Sequence, residues 1–306
     1  MKHIFVVNPM AGGRDSSKEI ANTLVNIEAD IEIYRTREPR DATRYVARRL
    51  REDGDVAMRF YACGGDGTLN EVVSGVMQAR ECGLAARHTE VACYPCGSGD
   101  DFVRYWPEAR FADMEALVGG TAVPVDVVRL GDSYCVNTLN YGFEAAVCHT
   151  MAKVRRVPVI GGRMAYTSGI VASLATGRRN RCRVTVDGEV WLDGEVLLLS
   201  VANGQYAGGG YHCAPHARND DGLLEVMAVK PMSVPRFARL IGYYKSGELV
   251  DREELRPLVS YRRGSRITID PFGDSYVATD GEIVHGSRFE VECLHHAVDF
   301  VLPRKQ

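Results

Sequence analysis

The chain has 306 residues, which is long for one hydrophobic core, so its length predicts two domains. A hydrophobic fraction of 45% and a charged fraction of 25% exclude the disordered and fibrous classes, and a net charge of -3 gives no general reason to expect nucleic acid as a partner. No apolar run approaches the ~20 residues of a membrane-spanning helix, and the first residues lack the features of a signal peptide, so we expect a cytoplasmic protein.

The first part of the chain alternates apolar, strand-like segments with amphipathic ones. This alternation predicts an α/β nucleotide-binding domain over residues 1–125, with a parallel sheet whose ligands bind beyond the carboxyl ends of the strands. In chain order, the predicted elements are a strand at 3–8, a helix at 16–27, a strand at 31–36, a helix from Asp41, a strand at 59–65, a helix from Thr68, a strand at 90–95 and short helices within 100–118.

From residue 124 onward the sequence is dominated by short β-like segments separated by turn signals. The stretch "VDGEVWLDGEV" has Asp-Gly steps at Asp187 and Asp193, which we interpret as hairpin turns. Two helices interrupt this part, at 162–176 and 233–246. We predict an antiparallel β-sandwich substrate domain over residues 126–294, with the segment 295–306 packing back on the first domain.

Three glycine-rich turns follow predicted strands: "NPMAGG" (8–13), "CGGDGT" (63–68) and "PCGSGDD" (95–101). A phosphate needs converging backbone N–H groups without side chains in the way, and a strand, a glycine turn and a helix N-terminus supply them. Asp66 can orient a ribose hydroxyl or a magnesium-bound water, and Thr68 can cap the helix or bind phosphate. The alternative is an ordinary βα turn with an aspartate cap. A Walker A motif is absent.

In combination, these motifs resemble the diacylglycerol kinase catalytic family, which includes sphingosine and ceramide kinases and bacterial lipid kinases. Each motif is weak alone, but the matches occur in the family's order along nearly the whole chain. The matching segments are "NPMAGG" (8–13), "GGDGT" (64–68), "PCGSGDDF" (95–102), "PVDVV" (124–128), "NTLNYGFEA" (137–145), the glycine-rich segment 208–222 and "ATDGE" (278–282).

The resemblance implies an ATP-dependent kinase that uses Mg²⁺, with an active site between the nucleotide domain and the sandwich. Asp101 and Asp126 match an acidic pair that the family links through water to the catalytic magnesium. Asp280 matches the general base, and Glu282 lies beside it. The ATP site would comprise Asn8, Gly64, Gly65, Asp66, Gly67, Thr68, Gly97 and Ser98.

Two residues depart from the family pattern. Asp100 stands where the family commonly has asparagine, and it adds a negative charge beside Asp101. His216 stands where some bacterial members carry an acidic ligand of a regulatory magnesium. Asp220 and Asp221 remain as candidate ligands of that second ion.

The cysteine and histidine pattern predicts buried, reduced thiols and no transition metal. The nine cysteines lie mostly in apolar segments. Cys93 and Cys96 form a C-x-x-C step without a second pair at zinc spacing. His212, Cys213 and His216 lie in a glycine-rich loop without a carboxylate at matching spacing.

A basic segment predicts peripheral association with an anionic membrane. The residues between Glu144 and Asp187 include eight basic side chains and no acidic one. Apolar neighbours, Val157, Val159, Ile160 and Met164, could enter the headgroup layer. The alternative is a solvated face paired with acids elsewhere, and exposed sheet edges leave a homodimer open. The basic residues are Lys153, Arg155, Arg156, Arg163, Arg178, Arg179, Arg181 and Arg183.

The leading hypothesis is transfer of the γ-phosphate of ATP to the hydroxyl of a membrane lipid, with diacylglycerol as the favoured acceptor. One alternative is a NAD kinase-like enzyme or sugar-phosphate kinase, because "GGDG" alone also resembles NAD kinases and phosphofructokinases. Another is a non-catalytic nucleotide sensor, supported by the departures at Asp100 and His216 and opposed by Asp280.

Overall fold

The computed structural model describes residues 1–53, 56–83, 88–154, 179–280 and 282–305. Its first part alternates strands and helices as the sequence predicts. These elements are β1 (Lys2–Val7), α1 (Ser17–Leu24), β2 (Asp30–Arg35), α2 (Asp41–Glu52), β3 (Met58–Gly64), α3 (Asp66–Glu81), β4 (Thr89–Pro95), α4 (Met114–Val118) and β5 (Thr121–Leu130).

The first domain contains a parallel sheet in the strand order β2-β1-β3-β4. Every residue of β3 is buried, as expected for a central parallel strand covered on both faces. The register places Val7 opposite Cys63, and Gly64 opposite Pro95. The carboxyl ends of β1, β3 and β4 therefore meet at one edge of the sheet.

The second part of the chain is mainly antiparallel. Its elements are β6 (Ser133–Cys135), β7 (Thr138–Gly142), α5 (Phe143–Val154), β8 (Asn180–Val186), β9 (Glu189–Val196), β10 (Leu198–Ala202), β11 (Leu224–Val229), α6 (Val234–Ser246), β12 (Val259–Gly264), β13 (Arg266–Pro271), β14 (Ser275–Thr279), β15 (Glu282–Gly286) and β16 (Phe289–Leu302).

Two sheets pack face to face in this second part. One is a six-stranded sheet in the order β12-β11-β10-β7-β14-β15, and the other layer is formed by β16, β13, β8 and β9. Apolar side chains from both layers fill the space between them, including Leu139, Val184, Val201, Ile267 and Val291, each at most 2% exposed. The predicted fold class, an α/β domain followed by an antiparallel β-sandwich, is confirmed.

Strand β16 connects the two parts of the molecule. Its first residues pair with β13, whereas Asp299 and Phe300 pair in parallel with β4 of the first sheet. Strand β5 runs antiparallel along β16, and their register shifts between Leu294 and Val298. The shift marks a bulge where β16 passes from one domain to the other.

The predicted elements differ from the structure in local details. Asp187 and Gly188 form the turn between β8 and β9 with φ values of 48° and 85°, as a hairpin turn requires. The prediction of a second turn at Asp193 is wrong, because Asp193 lies inside β9 opposite Arg183. Helix α3 begins at Asp66, two residues before the predicted start.

The predicted helix at 162–176 lies outside the described residues. The second predicted helix is α6, which has a proline in its first turn and is followed by the capping residue Gly247 with a φ of 83°. In the described part of the chain, no helix combines the length and the apolar character that crossing a bilayer requires.

Candidate active site

Glycines at the carboxyl ends of β1, β3 and β4 allow three turns to touch through their backbones. A Cβ atom at Gly97 would lie 2.5 Å from the Cα of Gly65, and one at Gly12 would lie 2.4 Å from the carbonyl oxygen of Cys96. The backbone N–H of Cys96 also donates to the carbonyl of Gly64 at 2.8 Å. The three turns therefore form one cluster at the ligand-binding edge of the sheet.

The cluster surrounds the N-terminal end of α3. The side-chain amide of Asn8 donates to the hydroxyl of Thr68 at 3.0 Å, which links the turn after β1 to the first turn of α3. Gly67 and Ser98 are exposed, and a Cβ atom at Gly67 would meet no described atom within 4 Å. The helix end is therefore accessible, and its unpaired N–H groups and dipole favour an anion there.

A cavity of about 260 Å³ lies between the turn after β1 and the turn after β4. Its volume is close to the lower end of the range for small-molecule sites. It adjoins Gly97, so a ligand held by the glycine turns could extend into it. The lining residues are Ala11, Gly12, Arg14, Ser16, Glu19, Ile20, Tyr94, Pro95, Cys96 and Gly97.

Three carboxyl groups gather beside the second and third turns. Asp66 accepts a hydrogen bond from the backbone N–H of Phe102 at 3.1 Å. Burial raises the pKa of Asp66 to about 6, and the charges of Asp101 and Asp100 add to the rise. Asp100 has a φ of 50° and accepts a hydrogen bond from the backbone N–H of Gly97 at 3.1 Å, so it closes the third turn. This concentration of negative charge favours a cation.

Asp101 joins the first domain to a loop of the second. Its buried carboxylate accepts hydrogen bonds from the backbone N–H groups of Gly209 at 2.8 Å and Gly210 at 2.7 Å. The φ values of these glycines are 83° and 101°, a conformation that other residues rarely adopt. Arg104 lies 3.4 Å from the same carboxylate. Asp101 therefore holds the glycine loop against the third turn.

Asp280 lies at the turn after β14, with a φ of 44°. Its carboxylate accepts hydrogen bonds from the backbone N–H groups of Val136 at 2.8 Å, Asn137 at 3.3 Å and Thr138 at 2.9 Å. Burial raises the pKa of Asp280 to about 7, and the negative charge of Asp66 adds to the rise. The second domain thus presents a carboxylate of nearly neutral pKa within electrostatic reach of the "GGDGT" turn.

The other predicted acidic residues do not join this group. Glu282 is exposed. Burial raises the pKa of Glu71 in the first domain, and the negative charge of Glu282 adds to this rise. Asp220 is exposed and forms an ion pair with Arg218 at 3.2 Å. Asp221 forms an ion pair with Arg263.

Asp126 lies in a different cluster from Asp101. It is fully buried, and it accepts hydrogen bonds from the backbone N–H of Gly222 at 2.7 Å and of His296 at 2.8 Å. It also contacts Nδ1 of His295 at 2.9 Å and the thiol of Cys293. His216, the second departure from the family pattern, instead contacts Asp251 at 2.7 Å on the surface.

The basic segment is described only in part. Arg179 pairs with Glu195 at 2.9 Å, and Arg183 pairs with Asp193 at 2.6 Å, as the alternative of a solvated, paired face predicts. Arg181 stacks over the exposed ring of Phe272, 4.3 Å from its centroid. The described residues do not include Arg155, Arg156, Arg163, Arg178 and the apolar neighbours Val157, Val159, Ile160 and Met164, nor the side chain of Lys153.

Sequence reasoning missed two features of this region. One is the direct contact between Asp101 and the N–H groups of Gly209 and Gly210, although three consecutive glycines signal an unusual backbone. The other is the pairing of Asp126 with His295 and His296. His295 and His296 are adjacent in the sequence, but the side chains of a regular strand alternate between its two faces. The sequence pattern therefore predicts that the two histidines point away from each other.

Two family models together match most of the chain. The diacylglycerol kinase catalytic domain matches residues 2–130, and the YegS C-terminal NAD kinase beta sandwich-like domain matches residues 137–302. The first match includes the three glycine turns, and the second includes Asp280. The boundary between the matches falls between β5 and β7.

Curated relatives extend over nearly the same span. A protein named "Probable lipid kinase YegS-like" from Stenotrophomonas maltophilia (strain K279a) is 28% identical over 309 residues, which cover 97% of this chain and 95% of the relative. A protein named "Diacylglycerol kinase" from Staphylococcus aureus (strain MRSA252) is 26% identical over 283 residues, which cover 90% of this chain and 84% of the relative.

Solved structures share the fold. A diacylglycerol kinase structure from Bacillus anthracis str. Sterne has a TM-score of 0.69 at 22% identity, covering 98% of this chain and 96% of that one. An NAD kinase from Archaeoglobus fulgidus in complex with ATP has a TM-score of 0.51 at 13% identity, covering 99% and 94%. These structures share the fold, and the two family matches show that the chain belongs to the diacylglycerol kinase catalytic family and carries a YegS-type C-terminal β-sandwich.

Proposed function

We propose that this protein is an ATP-dependent lipid kinase that transfers the γ-phosphate of ATP to a lipid hydroxyl, with Asp280 as the general base. The observation that carries the proposal is the pair of hydrogen bonds from the N–H groups of Gly209 and Gly210 to Asp101, which joins the second domain to the glycine turns. The raised pKa of Asp280, caused by burial and increased by the charge of Asp66, supports a proton acceptor of the second domain near the same turns. Phosphoryl transfer needs these two parts side by side.

The glycine turns supply the phosphate-binding part of this function. Gly65 and Gly97 are in backbone contact, and the N-terminal end of α3 is accessible beside them. A triphosphate there would receive backbone N–H groups and the positive end of the helix dipole. The adjoining cavity next to Gly97 offers space for the rest of the nucleotide.

Asp280 has the properties of a general base at neutral pH. Three backbone N–H groups fix its carboxylate. The fourth contact is with the thiol of Cys135, a weak donor that the acceptor hydroxyl would displace. A pKa of about 7 lets the group be ionised before transfer and still accept a proton during it. Glu282 is exposed beside it and would have a supporting role.

The acidic group at the third turn fits Mg²⁺. Magnesium in kinases is held by one or two carboxylates together with substrate phosphates and water. Asp66, Asp100 and Asp101 bring three carboxyl groups together, and their mutual charges add to the rise that burial causes in the pKa values of Asp66 and Asp100. When bound with ATP, Mg²⁺ would neutralise charge on the phosphates. Asp126, Asp220 and Asp221 are not part of this group.

The acceptor is proposed from the relatives and from the basic segment. Two relatives are named as a lipid kinase and a diacylglycerol kinase, and diacylglycerol is therefore the first acceptor to test. Arg179 and Arg183 are paired with Glu195 and Asp193, and the other basic residues between Glu144 and Asp187 would attract an anionic membrane at about 1 kcal/mol each near the surface. Such a kinase would act as a peripheral protein at the bilayer.

A labelled-phosphate assay tests the proposal. The protein is incubated with γ-labelled ATP, Mg²⁺ and mixed micelles containing diacylglycerol, sphingosine or ceramide, and the label is followed into the organic phase. We expect label in a phospholipid. Label in NADP or in a sugar phosphate would show that the acceptor is not a lipid. ATP binding without any transfer of label would refute the proposed kinase activity.

A further inference from the structure

Asn137 lies in the middle of the short segment that holds Asp280. The backbone N–H groups of Val136, Asn137 and Thr138 all donate to the Asp280 carboxylate. The N–H of Asp280 donates back to the carbonyl of Thr138 at 3.1 Å. The position of the proposed base therefore depends on where these three residues lie. Asn137 is 3% exposed, so its own polar groups need partners inside the protein.

The partners of Asn137 belong to a segment that leads into the glycine loop, residues 206–211. The side-chain amide of Asn137 donates to the carbonyl of Tyr206 at 2.6 Å. A carbonyl oxygen only accepts, so the nitrogen of the amide must face it. The backbone carbonyl of Asn137 accepts from the N–H groups of Asn203 at 2.8 Å and Gly204 at 3.1 Å. Three hydrogen bonds thus fasten one buried residue to this segment.

The glycine loop extends from this attachment to the first domain. Ala207 and Tyr211 exchange both backbone hydrogen bonds at 2.9 Å, which closes the loop and leaves three glycines at its tip. All three glycines have positive φ values, 63°, 83° and 101°. Two of them, Gly209 and Gly210, donate to Asp101. The loop is therefore a short, closed connection between the second domain and the third glycine turn.

We propose that Asn137 is a positioning residue for phosphoryl transfer, because its side chain holds the glycine loop on the segment that binds Asp280. The N–H of Asn137 contacts Asp280, its side chain contacts the loop, and the loop contacts Asp101. These contacts keep the base and the third glycine turn at one separation across the domain boundary. The inference rests on the proposed kinase function, in which that turn binds the phosphates of ATP. A displacement of about 1 Å can lower an enzymatic rate by about 10²-fold.

Gly204 offers a second way to move the Asn137 side chain. A Cβ atom at Gly204 would lie 1.8 Å from Oδ1 of Asn137, so Gly204→Ala must displace the amide from Tyr206. The same Cβ atom would lie 3.7 Å from the Cα of Asn137, which is an ordinary contact distance. Asn137→Ala therefore makes room for Gly204→Ala, and the two substitutions act on one contact.

Initial rates of labelled-phosphate transfer by the full chain test this role. The variants are Asn137→Ala, Gly204→Ala and the double variant. Each single substitution should lower kcat by at least about 10-fold, while the KM for ATP stays within about 2-fold of the wild-type value. The double variant should lose no more than either single variant, because effects that pass through one contact do not add.

Asn180→Ala is the matched control, because the Asn180 side chain also donates to backbone carbonyls, those of Val196 and Leu197 at 3.4 Å. It should keep the wild-type kcat. Circular dichroism and the stoichiometry of ATP binding in calorimetry check that each variant is folded. Gly204→Ala tests the same contact should Asn137→Ala fail to fold.

Three results would overturn the positioning role. They are a wild-type kcat in a folded single variant, additive losses in the double variant, and a loss of ATP affinity as large as the loss of kcat. Absence of transfer by the wild type is a different result, because it would refute the kinase function itself and this inference with it.

Discussion

Protonation of Asp280 should control the rate of phosphoryl transfer. The carboxylate is buried at the turn after β14, near the charge of Asp66, and its pKa is raised from the usual carboxyl range to about 7. A general base works only when it is ionised. Because the pKa is raised, the inactive protonated form accumulates as the pH falls through 7, and the rate should fall with it.

The expected size of this effect follows from the pKa. One pH unit below its pKa a carboxyl group is about one-tenth ionised, so kcat/KM at pH 6 should be about one-tenth of its plateau value above pH 8. Replacing the base by Asp280→Asn should lower kcat by about 10²–10⁴-fold on the plateau above pH 8, and by less at lower pH, where the wild-type base is itself protonated. ATP affinity should stay nearly unchanged, because the glycine turns that we propose to bind the phosphates belong to the other domain.

The assay is initial-rate transfer of labelled phosphate at saturating Mg²⁺ over a series of pH values. Asp187→Asn is the matched control: Asp187 also occupies an Asp-Gly turn with a positive φ, and it accepts backbone hydrogen bonds from Ser265 at 3.0 Å and Arg266 at 2.9 Å. It should keep the wild-type profile. A flat profile between pH 6 and pH 8, or normal turnover by Asp280→Asn, would refute the assignment of the base.

The remaining predictions concern the turns and the contact between domains. Gly97→Ala should lower the melting temperature, because its Cβ would lie 2.5 Å from a backbone atom, whereas Gly194→Ala, which meets no described atom within 4 Å, should not. Gly67→Ala should fold normally yet weaken ATP binding in calorimetry; unchanged affinity would place the phosphates elsewhere. Asp101→Asn should lower the free energy of unfolding in urea by about 1.5–3 kcal/mol, because a charge-assisted hydrogen bond is lost. The control Asp132→Asn, at an exposed residue, should change it by less than about 0.5 kcal/mol. Equal effects of the two substitutions would contradict the contact between Asp101 and the glycine loop.

The fold was largely predictable because its signals are local. Alternating strand-like and amphipathic segments indicated the α/β domain, and parallel strands necessarily bring their carboxyl ends together. This is why the turns at Gly12, Gly65 and Gly97 could be expected to meet. Asp-Gly steps are also a local signal, but Asp193 shows their limit: once Asp187 and Gly188 form the turn, the pairing of Asp193 with Arg183 keeps it in the strand.

The contacts between the domains were not predictable from sequence patterns. The hydrogen bonds of Asp101 to Gly209 and Gly210 join residues more than one hundred positions apart, and nothing local specifies them. The cluster of Asp126 with His295 and His296 depends on a bulge whose position is set by pairing between β5 and β16. Motif resemblance found Asp126 but gave no information about its neighbours in this chain.

A crystal structure with Mg²⁺ and a non-hydrolysable ATP analogue tests the central claim most directly. Our account predicts that the triphosphate contacts the backbone N–H groups at Gly65 and Gly97, with the terminal phosphate directed toward Asp280. A nucleotide bound away from these turns, or a terminal phosphate directed away from Asp280, would contradict it.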